Sequence, residues 1–352
     1  MFWKESGEKE NMPKRVTYSL AGVHISKVEK SLSCLKPYFE STYTSNVIPF
    51  WNGFSSVLRI DWKNYKNPLI LLTTDGVGTK LKLALRKKRY DTIGQDLVAM
   101  NINDLLTCGA KPIAFLDYFA TGRIDEEVYQ NILISISKAC KAVECSFVGG
   151  ETAELPGIYK GKDLDLAGFA IGIVEEEDLL PKLNDINEDC KLIGISSSGL
   201  HSNGFSLLRY IMKKKKLSWK NKIGEITIEE EVLKPTKLYS PIILPLLKIF
   251  KNSIKGIAHI TGGGIPGNLP RILPKGYGAL IDSSSWEIPE IFLWIIKKGN
   301  LSKKEAFKVF NMGIGLILVV KDEKEIIKSL KNQGENAFLI GKVEKWEGIK
   351  II

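Results

Sequence analysis

Thr74-Asp75-Gly76-Val77-Gly78-Thr79-Lys80 follows an apolar run, Pro68 to Leu72, that reads as a buried strand. An acid, two glycines, a hydroxyl and a lysine therefore stand at a strand end, where α/β proteins place their ligands. Glycines admit phosphate oxygens to backbone amides, Asp75 can hold a divalent cation, and Lys80 can offset phosphate charge. The stretch is not a P-loop. That motif needs G-x-x-x-x-G-K-[ST], and here Thr79 precedes Lys80 with no glycine at the upstream spacing. Taken alone, the heptapeptide is equally a tight turn.

Working outward, 352 residues exceed the usual size of one hydrophobic core and predict two domains. A composition of 44% hydrophobic and 26% charged residues is that of a globular chain, and no apolar run reaches the length of a membrane span. The first 15 residues lack the apolar segment of a signal peptide, which predicts a cytoplasmic protein. Five cysteines without CxxC spacing argue against a disulfide framework or a zinc site. The net charge of +10 is carried by lysines, with only seven arginines, so solvated lysine faces explain it better than nucleic-acid binding.

Along the chain, residues 1–50 read as an irregular arm, 51–176 as a first domain and 177–352 as a second, divided at the acidic run Glu175 to Asp178. In the first domain, strands at 56–61, 68–74, 113–120, 146–148 and 167–174 alternate with helices at 91–108 and 125–144, capped by Asp91 and Asp125. In the second, strands near 191–196, 257–261, 316–320 and 337–341 open into polar loops and helices. The fold class is mixed α/β (α+β) in both halves.

The helix from Asp91 is apolar nearly all round, so it is buried, yet it carries Asp96, Asn101, Asn103 and Asp104. Asp96, Asn103 and Asp104 share one face by spacing. Buried carboxylates need a partner or a cation. Gly149-Gly150-Glu151-Thr152-Ala153-Glu154 adds another acid, read as a loop at a strand end. Asp75, Asp104 and Glu151 form an all-oxygen set that suits Mg²⁺ rather than zinc. In the second half, Ser197-Ser198-Gly199-Leu200-His201-Ser202-Asn203-Gly204 precedes a helix whose first amides attract anions. Asn203 is either that helix's cap or a ligand residue, and His201 is a candidate proton shuttle. Thr261-Gly262-Gly263-Gly264 is a second phosphate nest, while His259 reads as a core histidine within a strand.

Several ordered segments resemble the phosphoribosylformylglycinamidine cyclo-ligase (aminoimidazole ribotide synthetase) family. They are TTDGVGTKLKLA (73–84), DTIGQDLVAMNINDLLTCGAKPIAFLDYFATG (91–122), VGGETAELPGIY (148–159) and DLAGFAIGIVE (165–175). In the second half follow SSSGLHSNGFSLLR (196–209), KPTKLY (234–239), AHITGGGIPGNLPRILP (258–274), FNMGIGLILVV (310–320) and GENAFLIG (334–341).

The resemblance implies two domains, the first pairing with its copy in a homodimer, and a nucleotide cleft between domains and subunits. It implies closure of the imidazole ring of a ribonucleotide with ATP, through an iminophosphate, in purine biosynthesis. Carried onto these positions, Asp75, Gly76, Gly78, Thr79, Lys80, Asp96, Asp104 and Glu151 would bind ATP. Of these, Asp75, Asp104 and Glu151 would hold Mg²⁺, with K⁺ a further candidate cation, and Asp96 would support the metal acids. Lys80, His201 and Asn203 would act in catalysis. Ser197, Ser198, Gly199, His201, Thr261, Gly262, Gly263 and Gly264 would hold the substrate's phosphates or formyl group. The segment His24 to Val28 and Gln95 depart from the family pattern. Selenophosphate synthetase and thiamin-monophosphate kinase share the architecture and are the alternatives within it; a decayed, non-catalytic binding protein is the alternative outside it.

Overall fold

The computed structural model describes residues 25–49 and 54–352. Its first half contains α1 (Ile25–Glu40), the short pair β1 (Val47–Ile48) and β2 (Val57–Leu58), β3 (Pro68–Gly76), α2 (Lys80–Lys87), α3 (Ile93–Thr107), β4 (Lys111–Thr121), α4 (Glu126–Ala142), β5 (Ser146–Glu154) and β6 (Leu164–Glu175). Four of the strands form a sheet of order β3-β6-β4-β5, with β6 antiparallel to both neighbours and β5 parallel to β4. Along β6, Leu166, Gly168, Ala170 and Gly172 are buried and the intervening residues are not, the period of a sheet covered on one face. Helices α3 and α4 supply that cover, and α1 packs on α4. On the other face Ile70, Leu72 and Phe169 stay exposed, Leu72 at 76%.

The second half contains β7 (Lys191–Ser196), α5 (Phe205–Lys214), β8 (Lys222–Ile223), β9 (Ile226–Thr227), α6 (Ile228–Val232), α7 (Ser240–Ile249), β10 (Ile254–His259), α8 (Gly264–Asn268), β11 (Gly278–Ile281), α9 (Glu290–Gly299), α10 (Lys303–Val309), β12 (Ile314–Val320), α11 (Glu323–Asn332), β13 (Ala337–Glu344) and β14 (Gly348–Ile351). The six-stranded sheet runs β10-β12-β7-β13-β11-β14, antiparallel except for β11 with β14. Every residue of β12 is buried, so both faces of this sheet are covered at its centre. Leu106 of α3 joins the apolar cluster of Ile193, Ile243 and Leu316, so one helix serves both halves.

Three readings change. Residues 25–40 are helical where an irregular arm was expected; Leu35 and Phe39, four apart, are the buried anchors of its inner face. The altered segment His24 to Val28 lies partly outside the described residues, but Lys27 is paired with Glu126 at 3.6 Å. The cap of α3 is Thr92, because the helix starts at Ile93, and Asp91 faces Arg89 instead. Gly149 to Glu154 is no loop: it continues β5 against β4 after a register shift, with Gly150 opposite Asp117. Asp125 caps α4 through Val128 N–H as expected.

Candidate active site at the domain seam

Helix α3 is the hinge-pin of the site. Its buried polar side chains reach across the seam to the extended segment 234–239. Gln95 donates to Thr236 O at 2.9 Å, Asn103 donates to Lys237 O at 2.9 Å, and Asn103 Oδ1 accepts from Tyr239 N–H at 3.1 Å. These bonds explain why a helix with no wet face carries amides, including Gln95: each satisfies a backbone group of the other half.

At the outer end of that face, Asp104 Oδ1 lies 2.9 Å from His259 Nδ1. The His259 side chain is almost wholly buried while that of Asp104 is 42% exposed, so the acid stays open to solvent beside a buried imidazole. Asp75 joins them from the end of β3. Burial raises its carboxyl pKa, the Gly76 N–H at 2.7 Å opposes that, Asp104 raises it further and His259 lowers it. Asn101 donates to the Asp75 carbonyl at 3.2 Å and fixes that strand end. His259 is buried as a core histidine would be, but it also bonds a candidate site acid. Its place at the mouth of the glycine nest, two residues before Thr261, was the available signal.

Glu151 does not join this pair within one chain. Gly76 stands opposite Ala167, Ala167 opposite Tyr118, and Tyr118 opposite Glu151. Three strand spacings, about 14 Å, separate that acid from the Asp75 end of the sheet. Among the described residues no group of three His, Cys, Asp or Glu is arranged to hold a metal. The expected three-acid set is thus reduced to Asp75 and Asp104. Two carboxylates still fit Mg²⁺ when it arrives with a nucleotide, because phosphates and water complete its octahedron.

Lys80 and Asp96 also differ from expectation. Lys80 is fully buried at the start of α2, with Nζ 2.8 Å from Asp96 Oδ1 and 2.7 Å from Lys234 O. Burial pushes its pKa down, and the Asp96 carboxylate works against that. Asp96 Oδ1 also accepts from Thr236 N–H and from the Thr236 hydroxyl, both at 2.7 Å. Lys80 is engaged by Asp96 and Lys234 O with no exposed surface, and Asp96 turns to Lys80 and Thr236 rather than to Asp75 and Asp104. Spacing alone could not reveal that the two residues find each other. Thr79 Oγ1 lies 3.0 Å from Ser206 Oγ of α5, a second bridge across the seam. Gly78, at φ +69°, lets the loop turn between strand and helix.

On the other wall, His201 is 1% exposed and its Nε2 accepts from Ser198 N–H at 3.2 Å. Burial drives its pKa well below the ordinary value, with His259, Lys80 and Lys237 adding to that. The lowered pKa favours the neutral imidazole, which ties down the 197–199 turn, and its Nδ1 is buried without a hydrogen-bond partner. The Ser197 and Ser198 hydroxyls donate inward, to Gly199 O at 2.9 Å and Pro235 O at 2.6 Å. Asn203 does not cap α5, whose cap is Gly204. Asn203 instead turns its amide oxygen, Oδ1, toward Gly262, while its amide nitrogen, Nδ2, is a buried donor left unsatisfied. In the nest, Asn268 Nδ2 holds Gly262 O and Gly264 O at 3.1 and 2.9 Å, while Gly262 and Gly263 stay exposed. Gly264 cannot be replaced: a Cβ would fall 1.8 Å from Phe307 O.

One buried acid went unread in the sequence. Asp117 on β4 is 6% exposed and its Oδ2 has no hydrogen-bond partner. Burial, with Glu151 adding, raises its pKa to about 8. It lines a cavity of about 690 Å³ beneath α1, away from the Asp104 site. A larger cavity of about 990 Å³ lies around Lys251 and Glu177 and contains none of the site residues.

Two family descriptions match the chain: AIR synthase related protein, N-terminal domain, over residues 56–174, and AIR synthase related protein, C-terminal domain, over 187–352. The chain belongs to the AIR synthase family. Within that family it is 46% identical to the phosphoribosylformylglycinamidine cyclo-ligase of Thermodesulfovibrio yellowstonii, over 94% of this chain and 97% of that one. It is 45% identical to the protein of that name from Thermoanaerobacter pseudethanolicus, over 95% and 99%. The trifunctional purine biosynthetic protein adenosine-3 of Gallus gallus is 45% identical over 93% of this chain, which spans 33% of that longer protein. The fold is also that of thiamine-monophosphate kinase from Stenotrophomonas maltophilia, with a TM-score of 0.68 at 14% identity over 90% of this chain and 95% of that one. The hydrogenase maturation protein HypE in complex with ATP gives 0.64 at 16% identity over 93% and 88%.

Proposed function

We propose that this protein closes the imidazole ring of aminoimidazole ribotide from formylglycinamidine ribonucleotide, consuming ATP and releasing ADP and phosphate. The observation that carries the reading is the match, near 45% identity and over almost the whole of both chains, to proteins named for this reaction. The seam supports it chemically. Asp75 and Asp104 come together at the seam, and His259, which holds Asp104, leads two residues on into the exposed glycine nest. A nucleotide fits the acid side and a phosphorylated substrate the glycine side.

In this reading the formyl oxygen takes the γ-phosphoryl group of ATP and becomes an iminophosphate. The amidine nitrogen then attacks the formyl carbon, and the C–O bond to phosphate breaks. Mg²⁺ held by Asp75 and Asp104 would neutralise charge on the nucleotide's phosphates. The chain's own residues position both substrates: His259 orients Asp104, Asn101 fixes Asp75, and His201 holds the 197–199 turn. No protein nucleophile is needed, and all five cysteines are free thiols without an assigned part.

The exposed row Ile70, Leu72 and Phe169 supports a homodimer formed through the four-stranded sheets. Free cysteines support a reducing, cytoplasmic setting, and no described helix is long and apolar enough to cross a membrane. The end of β6 at Glu175 and the start of β7 at Lys191 support a domain boundary near residues 176 and 177. Incubation with formylglycinamidine ribonucleotide, Mg²⁺, K⁺ and ATP tests the function. Equal amounts of ADP and aminoimidazole ribotide are expected, and absence of the ribotide would overturn the reading.

A further inference from the structure

A buried network crosses the seam. Lys80 begins α2 directly after the Asp75–Thr79 loop of the nucleotide wall. Its ammonium meets Asp96, and Asp96 accepts both the N–H and the hydroxyl of Thr236 from the other half. The Ser202 hydroxyl lies 3.3 Å from the same carboxylate oxygen and 3.0 Å from Thr236 Oγ1. Lys80, Asp96, Thr236 and Ser202 are each at most 9% exposed. The next residue after Ser202 is Asn203, whose Oδ1 lies beside Gly262 of the glycine nest. One ionic centre therefore fixes the nucleotide loop and the substrate loop relative to each other.

A buried ion pair is a costly way to hold two domains together. Apolar side chains of similar volume would serve stability as well or better. What a charged, multiply bonded centre adds is a narrow set of geometries, because several donors converge on one carboxylate oxygen.

We propose that Lys80, Asp96, Thr236 and Ser202 are positioning residues that keep the substrate loop closed over the phosphorylated intermediate, so that ring closure outruns its hydrolysis. The inference rests on the cyclo-ligase reading. If the network loosens, water reaches the iminophosphate carbon. The water oxygen becomes the formyl oxygen, the C–O bond to phosphate breaks, and the starting ribonucleotide and phosphate return. ATP is spent without a ring.

The test compares wild type with Thr236→Val and Ser202→Ala in the full chain, measuring ADP and aminoimidazole ribotide formed in the same reaction. Each change removes one hydroxyl from the network and touches no residue that faces the cleft. The expected result is a ratio of ADP to ribotide that rises from one to about two or more, since displacements of a fraction of an ångström are enough to spoil alignment. Thr236→Ser, which restores the hydroxyl, is expected to bring the ratio back to one. A ratio that stays at one in both variants, whether or not the rate or melting temperature falls, overturns the inference. Absence of ribotide from the wild type itself would instead overturn the cyclo-ligase reading.

Discussion

Lys80 Nζ stands 2.8 Å from each carboxylate oxygen of Asp96, and neither side chain has any exposed surface. The two residues are 16 apart in sequence and come from consecutive helices, yet the carboxylate they share belongs equally to Thr236 of the other half. That arrangement makes the pair sensitive to the loss of either member.

Asp96→Asn strands an ammonium in the seam, and Lys80→Met strands a carboxylate. Each is expected to lower unfolding stability by about 3–5 kcal/mol. The double variant Lys80→Met/Asp96→Leu, which buries no charge, is expected to cost much less than the sum of the singles. Denaturant unfolding of the three proteins checks this; additive losses would show that the ions do not depend on each other.

Asp104→Asn keeps the shape of a half-exposed side chain and removes its charge. Activity is expected to fall by about 100-fold or more, with the melting temperature nearly unchanged, as for loss of a charge-stabilising group. Raising Mg²⁺ should recover part of the loss. Near-normal turnover at low Mg²⁺ would make Asp104 a structural partner of His259 only.

His201→Ala is expected to weaken use of the ribonucleotide while leaving ATP binding intact, because Ser198 N–H loses its acceptor and the 197–199 turn loosens. The imidazole is buried and neutral, so the pH profile of kcat should keep its shape between pH 6 and 8 at a lower height. Disappearance of an acidic limb in the variant would return His201 to proton transfer.

Asp117 sets a pH dependence of stability. Its pKa rises on folding from an ordinary carboxylate value to about 8. The unfolded chain therefore releases this proton at lower pH than the folded one. The contribution is complete below about pH 4 and falls as pH rises toward 8, by about 1.4 kcal/mol per pH unit at most. Asp117→Asn carries no such proton, so its melting temperature should decline less than that of wild type between pH 5 and 8. Parallel curves would show that Asp117 is ionised in the fold.

Much of this was legible in the primary structure. The apolar run before Asp75 and the all-round apolar helix with embedded acids announced strand, buried helix and ligand-bearing loop, because periodicity and burial follow from side-chain chemistry. Ordered motifs from 73 to 341 named the family. Partnership was not legible. Glycines 149 and 150 read as a loop because glycine favours turns, but the parallel edge of β4 drew them into a strand and carried Glu151 away from Asp75. Gln95 looked out of place on an apolar helix until a carbonyl of the opposite half appeared above it.

The sequence by itself determined the two α/β halves, the acids and glycine nests at their strand ends, and the family to which they belong. The tertiary structure decided which charges meet: Asp104 with His259, and Lys80 with Asp96 rather than with the cleft. The physical reason is range. Periodicity and turn chemistry act over a few residues, whereas a buried charge is satisfied by whatever the fold brings within about 3 Å, at any separation along the chain.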